Sequence, residues 1–157
     1  MSNSKVQYSI PPSPHGEGGR GVRLKLLGSW HIKSIIVTHN NHKIYPFGKH
    51  VKGFLVYLPN DYMAVQIMMP RKYPIPDNEK LSFKLEELAQ TLKATGYLSY
   101  FGKYEIDTHH QRVIHHVEGS IAQPIVGGKE VRHYRFSDNK LILSSGNMEL
   151  MWVIHNK

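Results

Sequence analysis

The sequence contains no cysteine, which excludes disulfides, thiolate metal sites and cysteine nucleophiles. It has no apolar run long enough to span a membrane as a helix, and Met1 to Ile10 lacks the continuous apolar core of a secretory signal. Both absences fit a reducing compartment, so a cytoplasmic location is expected. Charge of one sign is in excess, with a net +8, yet Lys and Arg are scattered and never run to five in a row. A nucleic-acid footprint needs that charge gathered into a patch, and a single-strand platform needs aromatics interleaved with it. Neither is present, so no nucleic-acid partner and no membrane span are expected. What remains is 157 residues, 40% of them hydrophobic, enough for one globular domain with a real core.

Proline and glycine, sparse in most of the chain, crowd into Pro11–Gly21, with three prolines and four glycines in eleven residues. Such a stretch neither propagates a helix nor pairs as a central strand. No Lys-Ser or Lys-Thr follows to make a phosphate loop. The stretch resembles a translated dispersed bacterial DNA repeat. Residues 1–23 are therefore read as a flexible leader and 24–157 as the folded domain.

Helical patterning is also scarce. Ser82 as N-cap, Glu86 and Glu87 in the first turns, an apolar stripe of Leu85, Leu88, Ala89 and Leu92, and a stop at Thr95-Gly96 predict one short α-helix. A lone helix in an otherwise β chain reads as a lid or plug against a barrel end.

Everything else alternates with the strand period. His31–His39, Gly53–Leu58, Tyr62–Met69, Val131–Phe136, Lys140–Ser144 and Met148–His155 are β-rich runs separated by turn signals such as Asn40-Asn41, Pro59-Asn60-Asp61, Asp138-Asn139 and Ser145-Gly146-Asn147. The chain is organised around the hairpin Leu98–Glu118. Its first arm puts Leu98, Tyr100, Gly102, Tyr104 and Ile106 on one face, and its second arm carries His115, His116 and Glu118. About eight strands joined mainly by short turns predict an all-β fold, an up-and-down antiparallel barrel without exposed edges.

The sequence also resembles known barrels. Gly28 followed by Trp30 is similar to the Gly-x-Trp start of calycin barrels. Leu27–Trp30, Lys52–Tyr57 with Asp61–Met63, Tyr97–Tyr104, His115–Ser120 and Val131–Tyr134 together resemble the bacterial and fungal lipocalin-like domain family, in the same order across roughly residues 26 to 155. The leader lies outside that resemblance, and Ile114 stands where family members often carry a polar residue. The resemblance implies a lipocalin-like β-barrel and says little of chemistry, since one barrel type serves many ligands.

In an eight-stranded barrel the interior is filled by side chains or holds one small ligand. Alternation points Tyr100, Tyr104, Arg132, Tyr134 and Trp152 inward. His115, flanked by Val113 and Val117, is expected to point inward too, although a one-residue slip in pairing would exchange it for His116. These six residues are the candidate ligand-binding set: Arg132 to meet an anion, the phenols to donate hydrogen bonds, and the apolar faces to hold the body of a small hydrophobic or amphipathic molecule with a polar or anionic head. The same residues could instead hydrogen-bond one another and rigidify a filled core. The alternative function is an isomerase, cyclase or hydrolase using His115 as general acid or base with Tyr104 as a donor. No cofactor and no metal are expected. His116 and Glu118, with His133, are the weaker metal candidates, and His155 is a candidate axial haem ligand, as in haem-binding barrels that the start motif also resembles. The sequence leaves the oligomeric state open, a homodimer included.

Overall fold

The computed structural model describes residues 16–69 and 96–154. Among them are a helix, α1 (Gly16–Leu26), and nine strands: β1 (Gly28–His39), β2 (His42–Ile44), β3 (Lys52–Tyr57), β4 (Tyr62–Met68), β5 (Tyr97–Asp107), β6 (Arg112–Ser120), β7 (Lys129–Ser137), β8 (Lys140–Ser145) and β9 (Met148–Ile154). Each long strand pairs antiparallel with the next, and β1 closes on β9, from Trp30 opposite Ile154 to Val37 opposite Met148. Eight strands thus form a closed up-and-down barrel, and β2 adds a short flap to the far end of β1. The helix expected between Ser82 and Thr95 falls outside the described residues, as does His155.

Turn chemistry fixes the registers. Asn40 and Asn41 both have positive φ, at 46° and 61°, the conformation a two-residue hairpin needs to match strand twist. Asp61 and Asp138, with φ of 66° and 52°, serve the same purpose in the β3–β4 and β7–β8 turns. The inward faces then make one core, including Trp30, Ile35, Leu55, Met63, Val65, Ile67, Val113, Val117, Leu141, Leu143 and Trp152. Along β1 the alternation breaks. The pairing with β9 slips between Ile32 and Ser34, so Lys33 is an extra residue and the buried positions run Trp30, Ile32, then Ile35.

The leader needs correction. Its last residues, Gly16 to Arg23, belong to α1, which carries four glycines that each disfavour a helix by about 1 kcal/mol relative to alanine. Tertiary contacts override that propensity. Gly19, Val22, Arg23 and Leu26, at helical spacing, face the barrel, and Leu26 is completely buried. The Arg23 guanidinium donates to the Pro59 carbonyl at 2.6 Å, pairs with the Asp61 carboxylate and lies over the Tyr104 ring. The indole Nε1–H of Trp30 donates to the Leu26 carbonyl at 2.8 Å, satisfying one of the acceptors that a helix end leaves open. The Gly28–Trp30 motif therefore couples the first strand to a helix that seals one end of the barrel, beside the turns at 58–61, 108–111 and 138–139.

Candidate functional site

Pairing across β5 and β6 sets Tyr104 opposite His115 and Lys103 opposite His116. Directly opposed residues share a face, so His115 points into the barrel with Tyr104 and His116 points out. The inward placement expected from the two flanking valines is the one observed: Val113, His115 and Val117 are all buried. Continuing the same rule into β7, Val113 faces Arg132 and His115 faces Glu130, which brings both β7 side chains to the interior.

These residues form a continuous polar chain through an apolar barrel. The Glu130 carboxylate accepts from Arg132 at 2.7 Å, and Arg132 sits near enough to the Tyr100 phenol for its charge to favour the ionised form. The Tyr100 hydroxyl lies 2.9 Å from His115 Nδ1, and His115 Nε2 lies 2.7 Å from the Tyr57 hydroxyl. Tyr57 in turn packs edge-on against Tyr104, with ring centroids 4.8 Å apart.

Burial sets the protonation of this chain. Loss of hydration, with smaller contributions from the charges of Arg132 and His116, holds His115 down at about 3. Burial also pushes Tyr57 well above the usual phenol range and Tyr100 up to about 12; Arg132 pulls Tyr100 the other way through its charge. His115 is therefore a neutral imidazole between two neutral phenols. A neutral imidazole has one N–H and one acceptor, so one phenol donates to it and the other accepts from it. Were Nε2 protonated, the Tyr57 hydroxyl proton would have no acceptor among the described residues, in a side chain 1% exposed. With Nδ1 protonated, Tyr57 donates to Nε2, Tyr100 accepts from Nδ1–H, and the Tyr100 hydroxyl proton is left free beside the cavity. The second arrangement leaves its spare phenol proton at the cavity wall, on Tyr100, and not in the sealed core on Tyr57. A ¹⁵N–¹H correlation spectrum should accordingly show His115 protonated at Nδ1 alone near neutral pH; protonation at Nε2 would reverse the assignment.

The cavity beside this chain has a volume of about 50 Å³ and is lined by Tyr100, His115, Arg132 and Trp152 among apolar side chains that include Leu55, Val65 and Leu143. Its half-exposed lining residues, Phe47, Leu98, Arg132 and Met148, mark its open side, at the end of the barrel opposite α1. Trp152 is 1% exposed and its indole N–H has no partner among the described residues. Among the described lining residues the unengaged polar groups are thus donors: the Tyr100 hydroxyl, the Trp152 indole and the remaining Arg132 N–H groups.

Four of the six expected ligand-binding residues, Tyr100, His115, Arg132 and Trp152, meet around the cavity. The other two do not line it. Tyr104 is buried at the closed end, where its hydroxyl donates to the Leu58 carbonyl at 3.1 Å and burial raises it to about 12. Tyr134 is half-buried and packs against Phe136 on the closed side. His116 faces outward, 3.5 Å from Glu105, and Glu118 and His133 are exposed on the surface. Among the described residues no three His, Asp or Glu side chains gather as metal ligands, and no helix is long and apolar enough to cross a membrane. Sequence reasoning missed Tyr57 and Glu130. The signal for Glu130 was present, since it lies two residues before the inward-facing Arg132 on one strand.

A closed antiparallel barrel with a donor-lined internal cavity defines the class of protein. The chain belongs to the lipocalin-like domain family, whose model matches residues 27–152. Among solved structures it is similar to a lipocalin-like protein from Bacteroides uniformis ATCC 8492, at 11% identity and a TM-score of 0.48, covering 83% of this chain and 99% of that one. It is also similar to an uncharacterized protein from Bacteroides eggerthii DSM 20697, at 8% identity and a TM-score of 0.46 with the same coverages. No curated protein matches the chain.

Proposed function

We propose that the barrel binds a small, mostly apolar molecule whose polar head accepts hydrogen bonds from Arg132, Tyr100 and Trp152, while its apolar body extends past Phe47, Leu98 and Met148. The observation that carries this reading is that Trp152, whose buried indole N–H has no partner among the described residues, lines a cavity together with Arg132 and Tyr100. A buried donor without a partner is unfavourable by about 1–3 kcal/mol, and an accepting ligand removes that penalty. Burial of the ligand body supplies the rest of the affinity.

His115 supports the head-binding groups from behind. Both of its nitrogens are taken up by phenols, so it orients Tyr100 and is not poised to move a proton at neutral pH. The test is native mass spectrometry of the purified protein, alone and incubated with small aryl and alkyl carbonyl compounds and acids. A one-to-one adduct is expected, weakened about 10-fold or more by Arg132→Ala and by Tyr100→Phe with the fold intact, as for loss of a charge-assisted or buried hydrogen bond. Absence of any adduct, or adducts of undiminished strength in both variants, would overturn the reading.

A further inference from the structure

Arg132, the residue expected to meet an anion, already holds one. Its guanidinium pairs with Glu130 at 2.7 Å and donates to the Val131 carbonyl at 3.3 Å. Glu130 is no surface counterion: pairing opposite His115 turns it to the barrel interior, and its side chain keeps 27% of its exposure. The polar chain Glu130–Arg132–Tyr100–His115–Tyr57 thus carries one positive and one negative charge and is neutral as a whole.

Resting on the proposed ligand-binding reading, we infer that Glu130 is a specificity-determining residue that sets this cavity for a neutral hydrogen-bond acceptor, a ketone, ester or amide carbonyl, and against a carboxylate. A neutral carbonyl accepts from the Tyr100 hydroxyl, the Trp152 indole and an Arg132 N–H that Glu130 does not use, and leaves the Arg132–Glu130 pair undisturbed. A carboxylate that reaches Arg132 brings a second negative charge to the guanidinium that Glu130 already holds at 2.7 Å, beside a cavity lined mainly by apolar side chains, where like charges repel more strongly than in water. It enters only by displacing Glu130 from Arg132 or by taking up a proton. Both are unfavourable, whereas the carbonyl requires neither. Selection of this kind works through the repulsive element as much as through the attractive one.

Acetophenone and benzoate have nearly the same shape and differ in head charge, so they isolate the effect. Their affinities for the wild-type protein and for Glu130→Gln are to be measured by ligand-observed NMR titration at pH 7. The wild type is expected to bind acetophenone about 10-fold or more tightly than benzoate, the discrimination a single close like-charge contact supports. Glu130→Gln, which keeps the shape and removes the charge, should tighten benzoate about 10-fold or more and change acetophenone less than about threefold. Benzoate bound as tightly as acetophenone by the wild type, or no gain for benzoate in Glu130→Gln, overturns the inference while leaving ligand binding standing. Failure of both probes to bind either protein overturns the binding reading itself, and the inference with it.

Discussion

Acidification from pH 6.5 to pH 4 is expected to remove about 3 kcal/mol of folding stability through His115 alone, and about 4 kcal/mol by pH 3. The folded protein holds this imidazole at about 3, against 6.5 in an unfolded chain. Below pH 6.5 the unfolded state therefore takes up a proton that the folded state refuses. Stability rises with pH wherever the unfolded state binds more protons, so this contribution is complete above pH 6.5 and is lost as the pH falls toward 3. The groups facing His115 reinforce that refusal: Tyr57 from β3 and Tyr100 from β5 occupy its nitrogens, Arg132 from β7 repels the imidazolium, and the neighbouring His116 does so as well. The Glu130 carboxylate, the nearby negative charge, is tied to Arg132. Asp107 also favours the folded state at neutral pH, because hydrogen bonds from Arg112 and His110 hold its carboxyl well below the usual range. That effect is lost only as the pH falls below 3.8. The window between pH 4 and 6.5 thus separates the histidine from Asp107. Urea denaturation at pH 7, 5.5 and 4 should show a falling midpoint in the wild type. In His115→Gln, less stable at pH 7, the profile should be nearly flat over the same range. An unchanged slope in the variant would mean that another group carries the linkage.

The parts of this molecule that the sequence revealed are those governed by the two-residue period. Leu98 to Ile106 alternates without interruption, so the inward placement of Tyr100 and Tyr104 could be read directly, and the valines on either side of His115 chose its face. The closed barrel followed from strand number and short turns. Three things were hidden for physical reasons. The bulge at Lys33 shifts the buried face of β1 by one residue, and only pairing with β9 shows where. Helix α1 is built from glycines, and what holds it is contact with Pro59, Asp61 and Trp30, each remote from or beyond the helix itself. Tyr57 meets His115 across 58 residues of sequence, and alternation can say that a side chain points inward but not which other inward side chain it will touch. The same limit separated Tyr104 from the cavity, since depth along the barrel axis depends on register between strands.

Leu26→Ala is expected to destabilise the domain by about 2–5 kcal/mol, the range for removing a fully buried leucine from a packed site. Leu26 has no exposed surface and is the deepest side chain of a helix with little propensity of its own, so the loss falls on the element least able to absorb it. Its carbonyl accepts the Trp30 indole N–H. Fraying of the last turn would therefore leave that donor unpaired inside the barrel and add to the cavity left by the smaller side chain. Arg23→Ala should be milder, about 1–3 kcal/mol. Its partner Asp61 keeps 45% of its side-chain exposure and can return to water, although the contact with the Tyr104 ring is lost. Neither change should alter ligand affinity by more than about twofold, because the cavity lies toward the opposite end of the barrel and shares no lining residue with α1. Urea midpoints at pH 7, read beside the affinity for acetophenone, check both statements together. If Leu26→Ala keeps wild-type stability, α1 does not seal the barrel. If it abolishes binding at a temperature where the domain is still folded, the two ends are coupled through the core, and the polar chain from Tyr57 to Glu130 is the route to examine, since Tyr57 touches Tyr104 at the closed end and Glu130 lies at the open one.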